Sequence, residues 1–288
     1  MDKRFTILDL LEAKTAGRKI VAVSCYEYTT ARLVASAGVD MILAGDSAAQ
    51  ILLGHDSTLP ATMDFMVAIT AAVRRAAPLP CLVADMPFLS YQTGVGEAVR
   101  NAGRFVQEAG AQVIKIEASI PYLDVVKAVS DAGMPVMAHI GIRPQNIIKQ
   151  GRLRAEGTTA DLAYELILCA DQMVAAGASA LLLEGTAREV AGAITQRVSV
   201  PVISCGSGPD CDGQILILSD ILGISPCARP KFSKAYIDLT MPITEAVSDY
   251  ARQVRKGEFP DDDHCYHIKT GQWVKLTEML RGGREGQS

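Results

Sequence analysis

The chain has 288 residues, 49% of them hydrophobic and 21% charged, the proportions of an ordinary globular protein, which excludes disorder and fibrous structure. Its 28 Lys and Arg against 32 Asp and Glu leave a net charge of −4 with no basic cluster, so a nucleic-acid or membrane-surface partner has no support. The length suits either one α/β barrel, which commonly needs about 250 residues, or two average domains.

The opening stretch MDKRFTILDLLEAKTAGRK carries acids throughout and lacks the apolar run of a signal peptide. Residues 6–17 read as an amphipathic helix that precedes the first strand and covers the bottom of a barrel. IVAVSCY (20–26) is the first strand. A pattern of helix, Ala-Gly or Asp-Ala-Gly, and short apolar run then recurs in SAGVDMILAGD, EAGAQVIKIE, DAGMPVMAH and AAGASALLLE. Gly38, Gly110, Gly133 and Gly177 stand where a left-handed residue closes a helix. The runs after them, rich in Val, Ile and Leu without polar alternation, suit strands buried on both faces of a parallel sheet. CLVADMP (81–87) and PVISCGSG (201–208) extend the series, and ARPKFSK (228–234) is a weaker eighth member.

Helical patterns occupy 29–37, 63–76, 95–109, 121–132, 160–176, 187–197, 212–222 and 242–256. Alternation of strand and helix predicts parallel pairing through right-handed crossovers. Eight repeats favour an α/β fold of the (β/α)8 TIM-barrel type, with an open doubly wound sheet as the alternative left by the weak eighth strand. No Pro-, Gly- or Ser-rich linker divides the sequence, so residues 1–288 read as one barrel domain. Its N-terminal helix lies within 1–19, and an extension of about 268–288 ends in GGREGQS, a frayed tail. No stretch reaches the roughly 18 apolar residues of a membrane span. The seven cysteines are scattered singly and odd in number, the usage of reduced thiols in a cytoplasmic protein.

Each apolar strand turns polar at its C-terminal end: Gly45-Asp46-Ser47, Asp85, Lys115-Ile116-Glu117, His139 and Glu184. In a barrel those ends surround the active site, so one mouth gathers the acids, a lysine and an imidazole. Lys115 and Glu117 are two apart and share a strand face. Asp46, Asp85 and Glu117 form an oxygen-only donor set, which suits Mg²⁺; helix capping or pairing with Lys115 or an arginine is the plainer alternative for any one of them. Glu184 follows three leucines, where poor solvation raises a carboxyl's pKa and suits a general base. His139 is placed to donate to a substrate oxygen or to serve as a satisfied core residue. Ser47 offers a hydroxyl and an N–H to an anion, Tyr26 is a packing residue whose hydroxyl can meet the mouth, and Gly206-Ser207-Gly208 is either a phosphate loop or a tight turn.

The stretches CYEYTTARL, GDSAAQILLGHDSTLPATMD, VADMPFLSYQT, VIKIEAS, AHIGIRPQ, LLLEG, GSGPDCDGQILILSDILGISP and RPKFSKAY run in order from about residue 20 to His267. With them the chain resembles the ketopantoate hydroxymethyltransferase (3-methyl-2-oxobutanoate hydroxymethyltransferase) family. The resemblance implies a barrel of the phosphoenolpyruvate mutase/isocitrate lyase group, a homo-oligomer such as a decamer, and a role in pantothenate biosynthesis. It implies Mg²⁺ near Asp46, Asp85 and Glu117, chelated by a 2-oxo acid that Ser47 and Lys115 help to hold. It implies Glu184 as the base that removes the proton beside the ketone, and 5,10-methylenetetrahydrofolate as the one-carbon co-substrate attacked by the resulting enolate. The chain departs from the family pattern at Glu27, Ile69, Ala118, Ser119 and residues 149–157, all expected beside the mouth. Two other readings remain at this level: a paralogue with a different 2-oxo acid or donor, or a metal-free aldolase using Lys115 as a Schiff-base lysine. A third makes the barrel a non-catalytic binding protein.

Overall fold

A computed structural model describes residues 3–282. Eight parallel strands close into a barrel in sequence order: β1 Ile20–Ser24, β2 Met41–Ala44, β3 Cys81–Asp85, β4 Val113–Glu117, β5 Val136–Gly141, β6 Ala178–Glu184, β7 Val202–Cys205 and β8 Gly213–Ile217. The open-sheet alternative is thereby removed, because β8 pairs with β1 from Ile20↔Gly213 to Ser24↔Ile217. All four Ala-Gly glycines have positive φ, as their helix-closing role requires.

The strands read as continuous apolar runs because both faces are buried. One set of alternate residues, including Ala84, Ile114, Ile116, Ala138, Leu181 and Leu183, packs outward against the helices. The other set, including Met41, Cys81, Val113, Met137, Ala180 and Ile203, fills the lower interior. Followed upward by two residues at a time, the same inward column becomes polar: Val83 to Asp85, Val113 to Lys115 to Glu117, Met137 to His139, Leu182 to Glu184. A period of two therefore carries each strand from core to site.

The expected N-terminal helix is Ile7–Thr15. Its buried Leu10 and Ala13 join the lower interior cluster, and Lys14 forms a 2.8 Å ion pair with Asp212 at the start of β8. Bottom coverage therefore rests on an apolar plug with one ionic latch.

Two expectations near the end of the barrel are corrected. Residues 212–222, predicted helical, hold β8 and a four-residue helix, Leu218–Ile221, while 228–234 contain no strand. The short apolar run ILIL fits a buried strand as well as a helix by spacing alone. The physical decision is made by Gly213, where a Cβ would lie 2.6 Å from the Ile20 carbonyl oxygen and 2.8 Å from Ile203 Cδ1, so only glycine lets β8 enter between β7 and β1. The link from β7 to β8 has no helix, which breaks the strict alternation expected.

Where one domain had been expected, the chain clusters into two compact units, one ending at Asp238 and one beginning at Leu239. The second contains the helices Thr240–Lys256 and Gln272–Gly282, neither with a buried residue. The helix expected at 242–256 exists, but in this second unit. The tail GGREGQS, apart from Gly282, lies outside the described residues.

Candidate active site

A cavity of about 400 Å³ opens at the C-terminal ends of the strands. Its wall contains Asp46, Ser47, Asp85, Lys115, Glu117, His139 and Glu184, whereas Tyr26 and Gly206-Ser207-Gly208 are not part of it. Asp46 and Ser47 follow β2, where Gly45 brings the turn close to its neighbours: a Cβ there would lie 3.1 Å from Ser24 Oγ and 3.2 Å from Ser47 Oγ.

Lys115 Nζ donates to both oxygens of Asp85 at 2.7 Å, and the Asp46 N–H donates to Asp85 Oδ2 at 3.0 Å. Burial works against the ammonium of Lys115, but the charges of Asp85, Asp46 and Glu117 outweigh it and hold its pKa above the ordinary lysine value. A Schiff-base lysine needs a free amine, so this clamp disfavours the aldolase reading.

His139 is fully enclosed. Its Nε2 lies 3.3 Å from Glu184 Oε2 and its Nδ1 3.9 Å from Glu117 Oε1, and neither nitrogen makes an aligned hydrogen bond. Burial, followed by the charge of Lys115, pushes the imidazole pKa down, which keeps it neutral and leaves a proton on one ring nitrogen for an oxygen partner. Glu184 is less enclosed than expected. Its side chain is 20% exposed, against 1% for Glu117, so it faces the cavity rather than the core.

Three residues that the sequence did not single out as site residues organise the acids. Gln145, in the turn after β5, donates from Nε2 to Asp46 Oδ2 and to the Met86 carbonyl, both at 2.9 Å. Its N–H donates to Glu117 Oε2 at 3.0 Å. The Tyr91 hydroxyl donates to Gln145 Oε1 at 2.8 Å, and Gln92 Nε2 lies 3.3 Å from the same oxygen. Tyr26, read as packing with a reachable hydroxyl, is buried, and its hydroxyl lies 2.7 Å from Ser47 Oγ. The available signal for Gln145 was its place just beyond a strand end, in AHIGIRPQ, but a neutral amide carries no charge to draw attention to it.

The oxygen donors fit a hard divalent cation that keeps waters and takes few carboxylates. Glu117 Oε1 is a buried oxygen with no hydrogen-bond partner, Asp46 Oδ1 accepts no hydrogen bond among the described residues, and Asp85 Oδ1 accepts only from Lys115. Among the described residues no three His, Cys, Asp or Glu side chains already stand in a ligating arrangement. Mg²⁺ does not require that, since one or two carboxylates plus substrate and water oxygens complete its shell.

Ser207 is occupied structurally, which favours the tight turn over the phosphate loop. Its N–H donates to Ser204 Oγ at 2.9 Å, and its hydroxyl donates to the Leu183 carbonyl at 2.8 Å and accepts from the Thr186 N–H at 3.0 Å. Of the positions that depart from the family pattern, Leu153 lines the cavity, and Ala118 directly follows the lining residue Glu117. Glu27 caps the helix Tyr28–Ser36 by accepting from Thr29 and Thr30 N–H groups, and Ile69 and Ala118 are buried core residues.

A parallel eight-stranded barrel whose acids, lysine and imidazole converge at the strand C-termini is an α/β-barrel enzyme. The same barrel occurs in 2,3-dimethylmalate lyase, a PEP mutase/isocitrate lyase superfamily member, with a TM-score of 0.58 at 18% identity over 97% of this chain and 98% of that one. The family model for ketopantoate hydroxymethyltransferase matches residues 4–262, and the chain belongs to that family. A 3-methyl-2-oxobutanoate hydroxymethyltransferase of Pelobacter propionicus is 46% identical over 267 residues, covering 93% of this chain and 99% of the relative. One of Hyperthermus butylicus is also 46% identical, over 96% of each chain.

Proposed function

We propose that the protein transfers a hydroxymethyl group to 3-methyl-2-oxobutanoate or a closely related 2-oxo acid, with 5,10-methylenetetrahydrofolate as donor, the ketopantoate-forming step of pantothenate biosynthesis. The observation that carries this reading is Glu184, a cavity-facing carboxylate 3.3 Å from a buried imidazole and set among the Lys115–Asp85 pair and the other acids. The names of the relatives support the same substrate.

Ser47 and the Lys115 ammonium bind the oxygens of the 2-oxo acid, and the Asp85 contact fixes the ammonium's direction. Glu184 removes the proton from C3. The C–H electron pair becomes the C2=C3 bond, and negative charge collects on the keto oxygen, where Lys115 and His139 oppose it. C3 then bonds to the methylene carbon of the donor as one of that carbon's two C–N bonds breaks. Water displaces the second nitrogen and supplies the hydroxyl, and tetrahydrofolate leaves with two protons, one from C3 through Glu184 and one from the water. Asp46, Asp85 and Glu117 would hold Mg²⁺, which supplies Lewis-acid polarisation of the keto group when bound. The cavity volume leaves space beside a five-carbon acid for part of a second, larger reactant.

We also infer a cytoplasmic homo-oligomer. Free thiols at all seven cysteines support the compartment. The exposed Met241, Ile243, Val247, Tyr250 and Val254 of the helix Thr240–Lys256 support self-association. No helix among the described residues is long and apolar enough to cross a membrane.

The test is exchange of the C3 proton of 3-methyl-2-oxobutanoate in D₂O with and without Mg²⁺, followed by transfer from methylenetetrahydrofolate. Exchange is expected to need Mg²⁺ and to disappear in Glu184→Gln. No exchange with any 2-oxo acid overturns the proposal. Borohydride trapping of the substrate on Lys115, with activity surviving EDTA, would instead establish the Schiff-base reading.

A further inference from the structure

The buried amide of Gln145 has only one chemically consistent orientation. Nε2 faces two acceptors, Asp46 Oδ2 and the Met86 carbonyl, at 2.9 Å each, so both amide protons are used. Oε1 faces the Tyr91 hydroxyl at 2.8 Å and the Gln92 amide at 3.3 Å. Tyr91 is itself fixed by an edge contact with Tyr122, 5.4 Å between ring centroids. The main chain of the same residue gives its N–H to Glu117 Oε2 at 3.0 Å. Gln145 thus engages one oxygen on each of two acids from different strands and leaves the other oxygen of each, Asp46 Oδ1 and Glu117 Oε1, without a bond among the described residues.

We propose that Gln145 is a positioning residue for divalent-cation binding: it holds Asp46 and Glu117 in the rotamers that turn one free oxygen apiece toward a shared cation. The proposal rests on the reading that Mg²⁺ binds among these acids. Its physical basis is preorganisation, since two like-charged carboxylates otherwise turn away from each other, and a neutral donor between them restrains both without neutralising either. The side chain governs only the Asp46 arm, because any residue at 145 except proline retains the N–H that holds Glu117. Partial rather than complete loss of affinity follows. Tyr91 acts one step further out, by orienting the amide.

Calorimetric titration of Mg²⁺ or Mn²⁺ alone into the metal-free full chain tests this without reference to turnover. Gln145→Met keeps the length and removes both amide partners; affinity is expected to fall about 10- to 100-fold, the usual effect of losing a residue that orients a ligand. Tyr91→Phe, which retains the ring, should weaken binding by a smaller factor. In an Asp46→Asn background, Gln145→Met should add little, because the arm it controls has already been altered; independent effects that multiply would overturn the proposal. Unchanged affinity in a Gln145→Met protein with wild-type far-UV circular dichroism would overturn it too. If Gln145→Met does not fold, Tyr91→Phe decides: unchanged affinity there counts against the proposal, reduced affinity for it. Failure of the wild-type chain to bind either ion would remove the underlying cation reading, an outcome distinct from binding that ignores residue 145.

Discussion

Lys115 and Asp85 are both enclosed, with side-chain exposures of 5% and 1%, so neither is tolerated alone. Removing the lysine leaves a carboxylate without water or counter-ion. Lys115→Met is therefore expected to cost about 3–5 kcal/mol in urea unfolding, and the Lys115→Met/Asp85→Asn double variant should recover part of that. An isolated surface pair would cost well under 1 kcal/mol, and such a value would show that the pair is not desolvated. A different residue gives a pH dependence. The Lys3 and Thr6 hydrogen bonds hold the Asp9 carboxyl down at about 2, below its ordinary 3.8. A depressed folded-state pKa contributes stability that is complete above the unfolded value and is lost as pH falls through the folded one. Asp9→Asn should accordingly remove a contribution of about 1 kcal/mol seen above pH 4, with the difference from wild type narrowing as pH falls from about 4 towards 2. Charge made Asp46, Asp85, Lys115, Glu117 and Glu184 visible in the sequence, because an ionisable group after an apolar run is unusual. Gln145 and Tyr91 were not, since their importance lies in contacts made across separate loops.

At the scale of elements, the strand ends decide how accurately the site is aimed. Gly141 closes β5 with φ +91°, and a Cβ there would collide with the main-chain oxygen of Glu184. The glycine sets the spacing between β5 and the strand that carries the proposed base. Gly141→Ala is expected to cost more than about 1 kcal/mol and, by displacing Glu184, to slow C3 exchange at least tenfold; wild-type exchange would show that Glu184 need not be held so closely. Helix boundaries were legible where a capping residue and a breaker bracket a periodic run, as in Met63–Ala76, with Thr62 accepting from the Phe65 N–H and Pro78 just beyond the end. β8 was not, because its short apolar run, Ile215 to Ile217, carries the same information in either conformation. The decision came from its partners, β1 and β7, which the local sequence does not contain.

For the molecule as a whole, two consequences follow from exposed surface and from the cavity. The helix Thr240–Lys256 has no buried residue, and Val247 is 61% exposed on it. If this apolar surface joins copies of the chain, Val247→Glu should lower the mass seen by analytical ultracentrifugation while leaving C3 exchange by the barrel measurable; an unchanged mass would assign the assembly to another surface. Chelation makes a second test: EDTA should abolish exchange, and Mg²⁺ should restore it without refolding, since the barrel core is apolar and makes no use of the ion.

The sequence by itself determined the parallel α/β alternation, the helix that plugs the bottom and the resemblance to the family, because doubly buried strands, helix-closing glycines and strand-end charges are all local signals. It also named the charged residues of the site. Tertiary structure alone decided that β8 closes the sheet at Gly213, that the chain beyond Asp238 forms a unit of its own, and that Lys115 is clamped rather than free. It alone showed Gln145 joining Asp46 to Glu117, residues 99 and 28 positions away. The physical reason is range: hydrophobic periodicity and capping act within a turn or a strand, whereas barrel closure, desolvation and hydrogen-bond direction depend on which distant residues the fold brings together.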